Sequence, residues 1–230
     1  MRGLFITGTD TGVGKTVVAC GIVRSLRADG LRTGAYKPVC SGAERLPDGR
    51  PVWGDVAALS RAAGGELPSE LICPQCFIAP LAPPMAAAAE GRQVDATLLA
   101  AGRDAWTGIV DALVVEGAGG LLSPIADGIS NADLAGQLRY PLLIVAADRL
   151  GTINHTLLTV EAALARKLPV AGVVLNRLTA TPDASVDTNL GELLRTCPVP
   201  VLGVWPLDGN ELLRPGSPTA RMDWQALLGA

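Results

Sequence analysis

The chain has 230 residues and a formal net charge of −3; hydrophobic residues make up 49% of it and charged residues 18%, which excludes a disordered composition. It has no run of Lys or Arg that could follow a nucleic-acid backbone or an anionic membrane, and no apolar stretch of signal-peptide or membrane-spanning length. We therefore expect a cytoplasmic protein without nucleic-acid or membrane partners, whose five cysteines stay reduced.

Short apolar runs alternate with helical patterns along the chain. Strands are predicted at residues 3–8, 33–36, 112–115, 142–147, 170–175 and 201–204, and helices at residues 15–28, 55–63, 95–110, 131–138, 154–165 and 185–195. This alternation predicts one α/β domain over residues 1–230, with a parallel sheet between helices on both faces, in three layers. The runs at 113–115 and 142–145 lack an apolar/polar alternation and are expected in the middle of the sheet. A Pro-rich tail, residues 206–218, is expected to be irregular.

The strongest functional motif is GTDTGVGKT, residues 8–16, which follows the first predicted strand and opens the first predicted helix. Its glycines let backbone N–H groups surround phosphate oxygens, Lys15 can reach the β- and γ-phosphates, and the Thr16 hydroxyl can ligate Mg²⁺. The strict GxxxxGK[ST] pattern would place its first glycine at position 9, where this chain has Thr9, so the loop is one residue wider. The motif predicts a P-loop NTPase type of fold that binds a nucleoside triphosphate.

Two acidic residues are candidates for the metal side of this site. Glu116 ends a predicted buried strand and precedes a Gly-Ala-Gly-Gly stretch, at the sheet edge where ligands bind in open α/β folds. Asp55 begins a predicted helix, and on the residues alone helix capping is its simpler interpretation. Cys73 and Cys76 form a lone CxxC motif. Since zinc would need two more ligands, we interpret these cysteines as small, mostly buried side chains.

Five segments in chain order resemble the dethiobiotin synthetase family: TGTDTxVGKT from Thr7, YKPVxSG from Tyr36, the isolated Asp55, VEGAGG from Val115 and LGxxNH from Leu150. The resemblance spans most of the chain and becomes loose after Asn176. It implies a biotin-pathway ligase that uses ATP and Mg²⁺ to join CO₂ to 7,8-diaminopelargonate. The ureido ring of dethiobiotin then closes through a carbamic–phosphoric anhydride, with release of ADP and phosphate. It also implies a homodimer with the diamine near the subunit interface.

The resemblance also implies a role for individual residues. The implied catalytic residues are Lys37, Lys15 and Thr11, and the implied Mg²⁺ ligands are Thr16, Asp55 and Glu116. The implied substrate contacts are Thr11, Lys37, Ser41, Gly151 and Asn154. The implied nucleotide contacts are Gly12, Val13, Gly14, Lys15, Thr16, Val17, Asp55, Glu116, Gly117, Ala118, Gly119, Asn176, Arg177, Trp205, Pro206 and Leu207.

Some interpretations stay open at this point. On the residues alone, Lys37 could equally be a solvated lysine at a strand end, and His155 is interpreted as structural. Some relatives carry an acidic residue where this chain has Gly12. The main alternative function is an ATPase switch of the partition or septum-site type, although such proteins usually have a second loop lysine where this chain has Asp10. A glutamine-dependent amidating enzyme would need a further glutaminase domain.

Overall fold

The computed structural model describes residues 1–181, 183–207 and 222–229. The strands in these residues are β1 (Arg2–Gly8), β2 (Thr33–Tyr36), β3 (Cys40–Ser41), β4 (Glu44–Arg45), β5 (Pro51–Val52), β6 (Cys76–Phe77), β7 (Ala112–Gly120), β8 (Pro124–Ala126), β9 (Ile129–Ser130), β10 (Leu142–Ala147), β11 (Val170–Asn176) and β12 (Val201–Trp205). The helices are α1 (Lys15–Ala28), α2 (Gly54–Ala62), α3 (Ser69–Ile72), α4 (Pro83–Ala89), α5 (Ala96–Ala101), α6 (Asn131–Leu138), α7 (Thr152–Ala165) and α8 (Val186–Thr196). Short 3₁₀ helices cover Gly102–Trp106 and Gln225–Leu227.

The core of the molecule is a six-stranded sheet in the order β12-β11-β10-β1-β7-β2, and every neighbouring pair in it is parallel. All residues of β10 and the first six of β7 are buried. Because successive side chains point to opposite faces, such strands must be covered on both sides. The predicted α/β class with a parallel central sheet is therefore confirmed. The described part of the chain contains no helix long and apolar enough to cross a membrane.

Helix α1 forms for reasons that are visible in the sequence. Its buried side chains include Val18, Ile22 and Leu26, which recur every fourth residue and form one apolar face. That face lies toward β7 and β2, and α1 also contacts α2. The helix ends where Gly30 adopts a φ of 88° and donates its N–H to the carbonyl of Arg27. The predicted bounds of this helix are confirmed.

The helix predicted at residues 95–110 is wrong in its second half. Only α5 is α-helical, and it passes directly into the 3₁₀ turn at Gly102–Trp106. The cause lies far away in sequence. The hydroxyl of Tyr36 donates to the carbonyl of Leu99 at 3.1 Å, and the Tyr36 ring leaves no room for a side chain at Gly102. Trp106 is fully buried against Gly34, so core packing fixes the turn that ends the helix.

Several short elements were not predicted. Among them, residues 72–78 run beside residues 37–43: the N–H groups of Lys37, Cys40 and Gly42 donate to the carbonyls of Ile72, Gln75 and Phe77, respectively, at 2.7–3.1 Å. These bonds support the chain just after β2. The predicted irregular tail lies mostly outside the described residues.

Candidate active site

The predicted phosphate loop lies between the end of β1 and the start of α1. Gly12 and Gly14 adopt φ angles of 72° and 84°, a region that residues with a side chain rarely enter. Lys15 is the first residue of α1, and its ammonium donates to the carbonyl of Asp10 at 2.9 Å. Burial lowers the pKa of Lys15 below its usual value, and the positive charge of Lys37 acts in the same direction. The loop therefore forms a cradle with a buried cation at its base.

Lys37 lies between two carboxylates and is not a solvated lysine. Its Nζ donates to Glu116 Oε1 at 2.6 Å and to Asp55 Oδ2 at 2.6 Å. The side chains of Lys37 and Glu116 are only 3% and 1% exposed. Burial by itself lowers the pKa of Lys37, but the charges of Glu116 and Asp55 outweigh it and hold that pKa above its usual value. Lys37 is therefore a fixed positive charge at physiological pH.

Thr16 and Asp55 join the same cluster. The Thr16 hydroxyl donates to Glu116 Oε1 at 2.8 Å. Burial raises the pKa of Asp55, but the charge of Lys37 and the hydrogen bond from Lys37 outweigh this and hold that pKa below its usual value. Asp55 is the second residue of α2, and the N-cap position of that helix is occupied by Trp53. Helix capping is therefore the wrong interpretation of Asp55, and its carboxylate faces Lys37.

One oxygen of the cluster lacks a partner among the described residues. Glu116 Oε2 is buried and accepts no hydrogen bond from them, although buried carboxylate oxygens are almost always paired. Beside it lie a hydroxyl oxygen of Thr16 and the Asp55 carboxylate, and oxygen ligands of this kind suit Mg²⁺. The residues present are therefore of the kind that fits a magnesium ion.

These side chains open into a cavity of about 550 Å³. Of the predicted site residues, its lining contains Thr11, Gly12, Gly14, Lys15, Thr16, Val17, Lys37, Ser41, Asp55, Glu116, Ala118 and Gly119. Its remaining lining was not predicted and consists of Cys40, Gly42, Pro80, Leu81, Ala82, Pro83 and Ser123. The Ser41 hydroxyl donates to the carbonyl of Leu81 at 2.6 Å. This bond attaches the segment of residues 80–83, which contains two prolines, to the site. A role of this segment in the site could have been suspected from the sequence, because it lies in the long connection between the predicted helices at residues 55–63 and 95–110.

Other predicted nucleotide contacts lie behind or beside this cavity. Val13 is buried under the loop, and its carbonyl accepts a 3.0 Å hydrogen bond from the amide of Asn176. Gly117 is also buried, one residue after Glu116 in β7. Arg177 forms an ion pair with Asp148 at 3.3 Å. None of these four predicted residues lines the cavity.

The last predicted residues lie at the ends of other strands. Trp205 is buried, with its ring 6.3 Å from that of Trp224, so only its backbone could meet a ligand. Pro206 and Leu207 follow β12, and Leu207 is exposed. The remaining two predicted substrate contacts lie at the start of α7, which begins two residues before the predicted start. These two residues are Gly151 and Asn154. Neither lines the 550 Å³ cavity.

Asn131 is an important residue that the sequence reasoning missed. It is fully buried at the start of α6. Its Nδ2 donates to the carbonyls of Ala118 and Gly120 at 2.7 and 2.8 Å, and its Oδ1 accepts the N–H of Ala118 at 3.2 Å. These bonds fix the glycine-rich end of β7 that follows Glu116. Its only sequence signal is a polar residue beside Ser130 at a predicted helix start, which by itself is typical of capping.

A glycine-rich loop between a parallel strand and a helix, with a lysine and a threonine opening that helix and a buried acid on the neighbouring strand, defines a P-loop nucleotide-binding protein. The profile of a family described as "AAA domain" matches residues 2–210. The chain is 51% identical over 195 residues to "ATP-dependent dethiobiotin synthetase BioD" of Anaeromyxobacter dehalogenans (strain 2CP-C), covering 85% of each chain. It is 40% identical over 211 residues to the protein of that name from Bacillus subtilis (strain 168), covering 91% of this chain and 89% of the relative. The chain therefore belongs to the dethiobiotin synthetase family.

Solved structures give the fold alone. The crystal structure of the signal recognition particle receptor FtsY from Elizabethkingia anophelis aligns with a TM-score of 0.50 at 13% sequence identity. The alignment covers 91% of this chain and 61% of the receptor chain. At this level of identity the likeness concerns the arrangement of strands and helices and carries nothing about activity.

Proposed function

We propose that this chain is an ATP-dependent ligase that joins CO₂ to 7,8-diaminopelargonate and closes the ureido ring of dethiobiotin, releasing ADP and phosphate. Its family membership supports this reaction. The observation that carries the proposal is the buried Lys37 between Glu116 and Asp55, in the same cavity as Lys15 of the phosphate loop. Two cations held at one cavity suit a reaction in which two anions must meet.

The proposed reaction brings an anionic carbamate against the anionic triphosphate of ATP. One amine of the substrate adds to CO₂ and loses a proton, which gives a carbamate. A carbamate oxygen attacks the γ-phosphorus as the bond to the ADP oxygen breaks, and the second amine then attacks the carbamoyl carbon as phosphate leaves. Lys15 and Lys37 offset the charge where carbamate and phosphate approach, since cations already held in place by the fold need no reorganisation during the reaction. Thr11 and Ser41 lie on the same cavity and would orient the diamine.

Magnesium fits the acidic side of this site. Thr16, Asp55 and Glu116 would hold it, and Glu116 Oε2, which has no hydrogen-bond partner among the described residues, supports this assignment. When bound, Mg²⁺ offsets charge on the β- and γ-phosphates.

A homodimer would complete the substrate site. Gly151 and Asn154 lie outside the cavity of their own chain and would reach the diamine of the partner. Exposed leucines support a subunit contact near them: Leu122 and Leu158 line a second cavity of about 340 Å³, and Leu150 lies just before α7. Asn176, Arg177 and residues 205–207 would contact the base of ATP. A cytoplasmic location agrees with this biosynthetic role.

The test is diamine-dependent ADP release. Purified protein is mixed with ATP, Mg²⁺ and bicarbonate, with and without 7,8-diaminopelargonate, and the product is identified by mass. We expect Lys37→Met to lower kcat by about 10²–10³-fold, as loss of one charge-stabilising group does, while nucleotide binding remains. Lys167→Met, which removes an exposed lysine, is the matched control. ADP release that ignores the diamine would contradict the proposal and favour a nucleotide switch.

A further inference from the structure

The CxxC motif lies directly behind the candidate active site. Cys73 follows α3 and is buried, whereas Cys76 begins β6 and is partly exposed. Their sulfur atoms are 3.5 Å apart, and both thiols are free. Two cysteines on one short turn, with their sulfurs in contact, need little movement to form a disulfide, whose S–S distance is about 2.05 Å.

The turn that carries these cysteines also supports the active site. The carbonyl of Ile72, just before this turn, accepts the N–H of Lys37 at 2.7 Å, and the carbonyl of Gln75, within the turn, accepts the N–H of Cys40 at 2.9 Å. Cys40 is opposite Cys76 in the β3–β6 pair and lines the 550 Å³ cavity. A change in the turn from 73 to 76 therefore acts on the backbone that positions Lys37.

The two thiols differ in their readiness to react. The hydrogen-bonding contact between the two thiols lowers the pKa of Cys76 below its usual value against the effect of burial, and the charges of Lys37 and Arg92 act in the same direction. The guanidinium of Arg92 is held close by, 3.3 Å from the carbonyl of Cys76 and 4.6 Å from the centre of the Phe77 ring. A partly exposed thiol with more thiolate character is the one that attacks an oxidant first.

We propose that Cys73 and Cys76 are a reversible oxidation site, and that their disulfide lowers the ligase activity by displacing the backbone that supports Lys37. The Cys76 thiolate attacks one sulfur of a low-molecular-weight disulfide such as oxidised glutathione and expels one thiolate. Cys73 then loses its proton and attacks the Cys76 sulfur, which expels the second thiol. The protein loses two electrons and the oxidant gains them. The effect on activity rests on the function proposed above, whereas the disulfide itself does not.

The test uses the full chain equilibrated in buffers of reduced and oxidised glutathione at several ratios. Free thiols are counted after denaturation, and the Cys73–Cys76 peptide is identified by mass. We expect the thiol count to fall from five to three, because two of the five free cysteines are consumed. Turnover should fall about tenfold or more, as misplacement of a reacting group does. Dithiothreitol should restore both.

Two variants test whether the loss of activity comes from the Cys73–Cys76 pair or from oxidation of another cysteine. Cys76→Ser should keep four free thiols and full turnover in the oxidising buffer, since one of the five cysteines is gone. Cys197→Ser, the matched control, should lose the same pair and the same activity. A persistent glutathione adduct on Cys76, no loss of thiols, or full turnover of the oxidised protein would each overturn the inference. Failure of the proposed function would show differently, as absent turnover in the fully reduced protein.

Discussion

Replacing Lys37 by Met should destabilise the protein much more than replacing Lys37 and Glu116 together by Met and Gln. Methionine roughly preserves the volume of the lysine, so the main loss is the 2.6 Å ion pair with Glu116, whose side chain is 1% exposed. Asp55 is 46% exposed and can be solvated instead. Removing one partner of a buried pair costs about 3–5 kcal/mol, whereas neutralising both is often neutral. For a chain of this size the single replacement corresponds to a Tm lower by about 6–20 °C.

The assay is thermal and urea unfolding of the nucleotide-free, metal-free protein, followed by circular dichroism. Wild type, Lys37→Met, Glu116→Gln and the double variant form a double-mutant cycle. The exposed pair of Arg32 and Asp111, also 2.6 Å apart, is the control, and Asp111→Asn should cost less than about 1 kcal/mol. If the double variant loses as much stability as the sum of the two single variants, Lys37 and Glu116 are not coupled and the reasoning fails.

Three further predictions concern the surroundings of this pair. Asn131→Ala should cost about 1–3 kcal/mol or more, because it leaves buried backbone groups of the β7 end unpaired, and an unchanged urea midpoint would contradict this. Gly14→Ala should abolish nucleotide binding in calorimetry, since a Cβ at this positive φ would strike the Asn176 amide, whereas Gly30→Ala, with similar φ but open space, should bind normally. The depressed pKa of Asp55 stabilises the fold above the usual Asp value of about 3.9, and this stability is lost as the pH falls. The difference between the urea midpoints of wild type and Asp55→Asn should therefore be constant at and above about pH 6 and shrink as the pH falls below about 3.9, and a difference that stays constant down to that range and below would refute the assignment.

The sequence was most informative where residues close together in the chain decide the structure. The phosphate loop could be predicted because backbone geometry, helix start and lysine position all follow from nine consecutive residues. The carboxyl ends of parallel strands share one edge, and this rule alone puts Glu116 near the loop. The roles of Lys37 and Asp55 needed the family resemblance, since a lysine after a strand and an aspartate before a helix have simpler local explanations. The fold brings both into the predicted cluster.

What the sequence did not predict depends on contacts between distant segments. The helix from residue 95 ends early because Tyr36, about sixty positions away, occupies the space beside Gly102. The hydrogen bonds of Asn131 join two elements whose approach is set by the whole sheet. No periodic sequence pattern predicts the pairing of β3 with β6, because each strand has only two residues. The closeness of the CxxC turn to Lys37 depends on that pairing and could not be predicted either. Propensity cannot predict such features because tertiary packing decides them.

The central position of β1 has a consequence for the synthesis of the chain. Its two neighbours in the sheet are β7 and β10, so β1, which precedes both in the sequence, finds no partner in the sheet until residue 112 has been added. The ribosome adds about 5–20 residues per second, so this strand waits roughly 5–20 s as an unpaired apolar segment. The phosphate loop is thus synthesised well before the strand pairings that fix its working shape. A nascent chain that stops before β7 should be a client for chaperones and should not bind nucleotide.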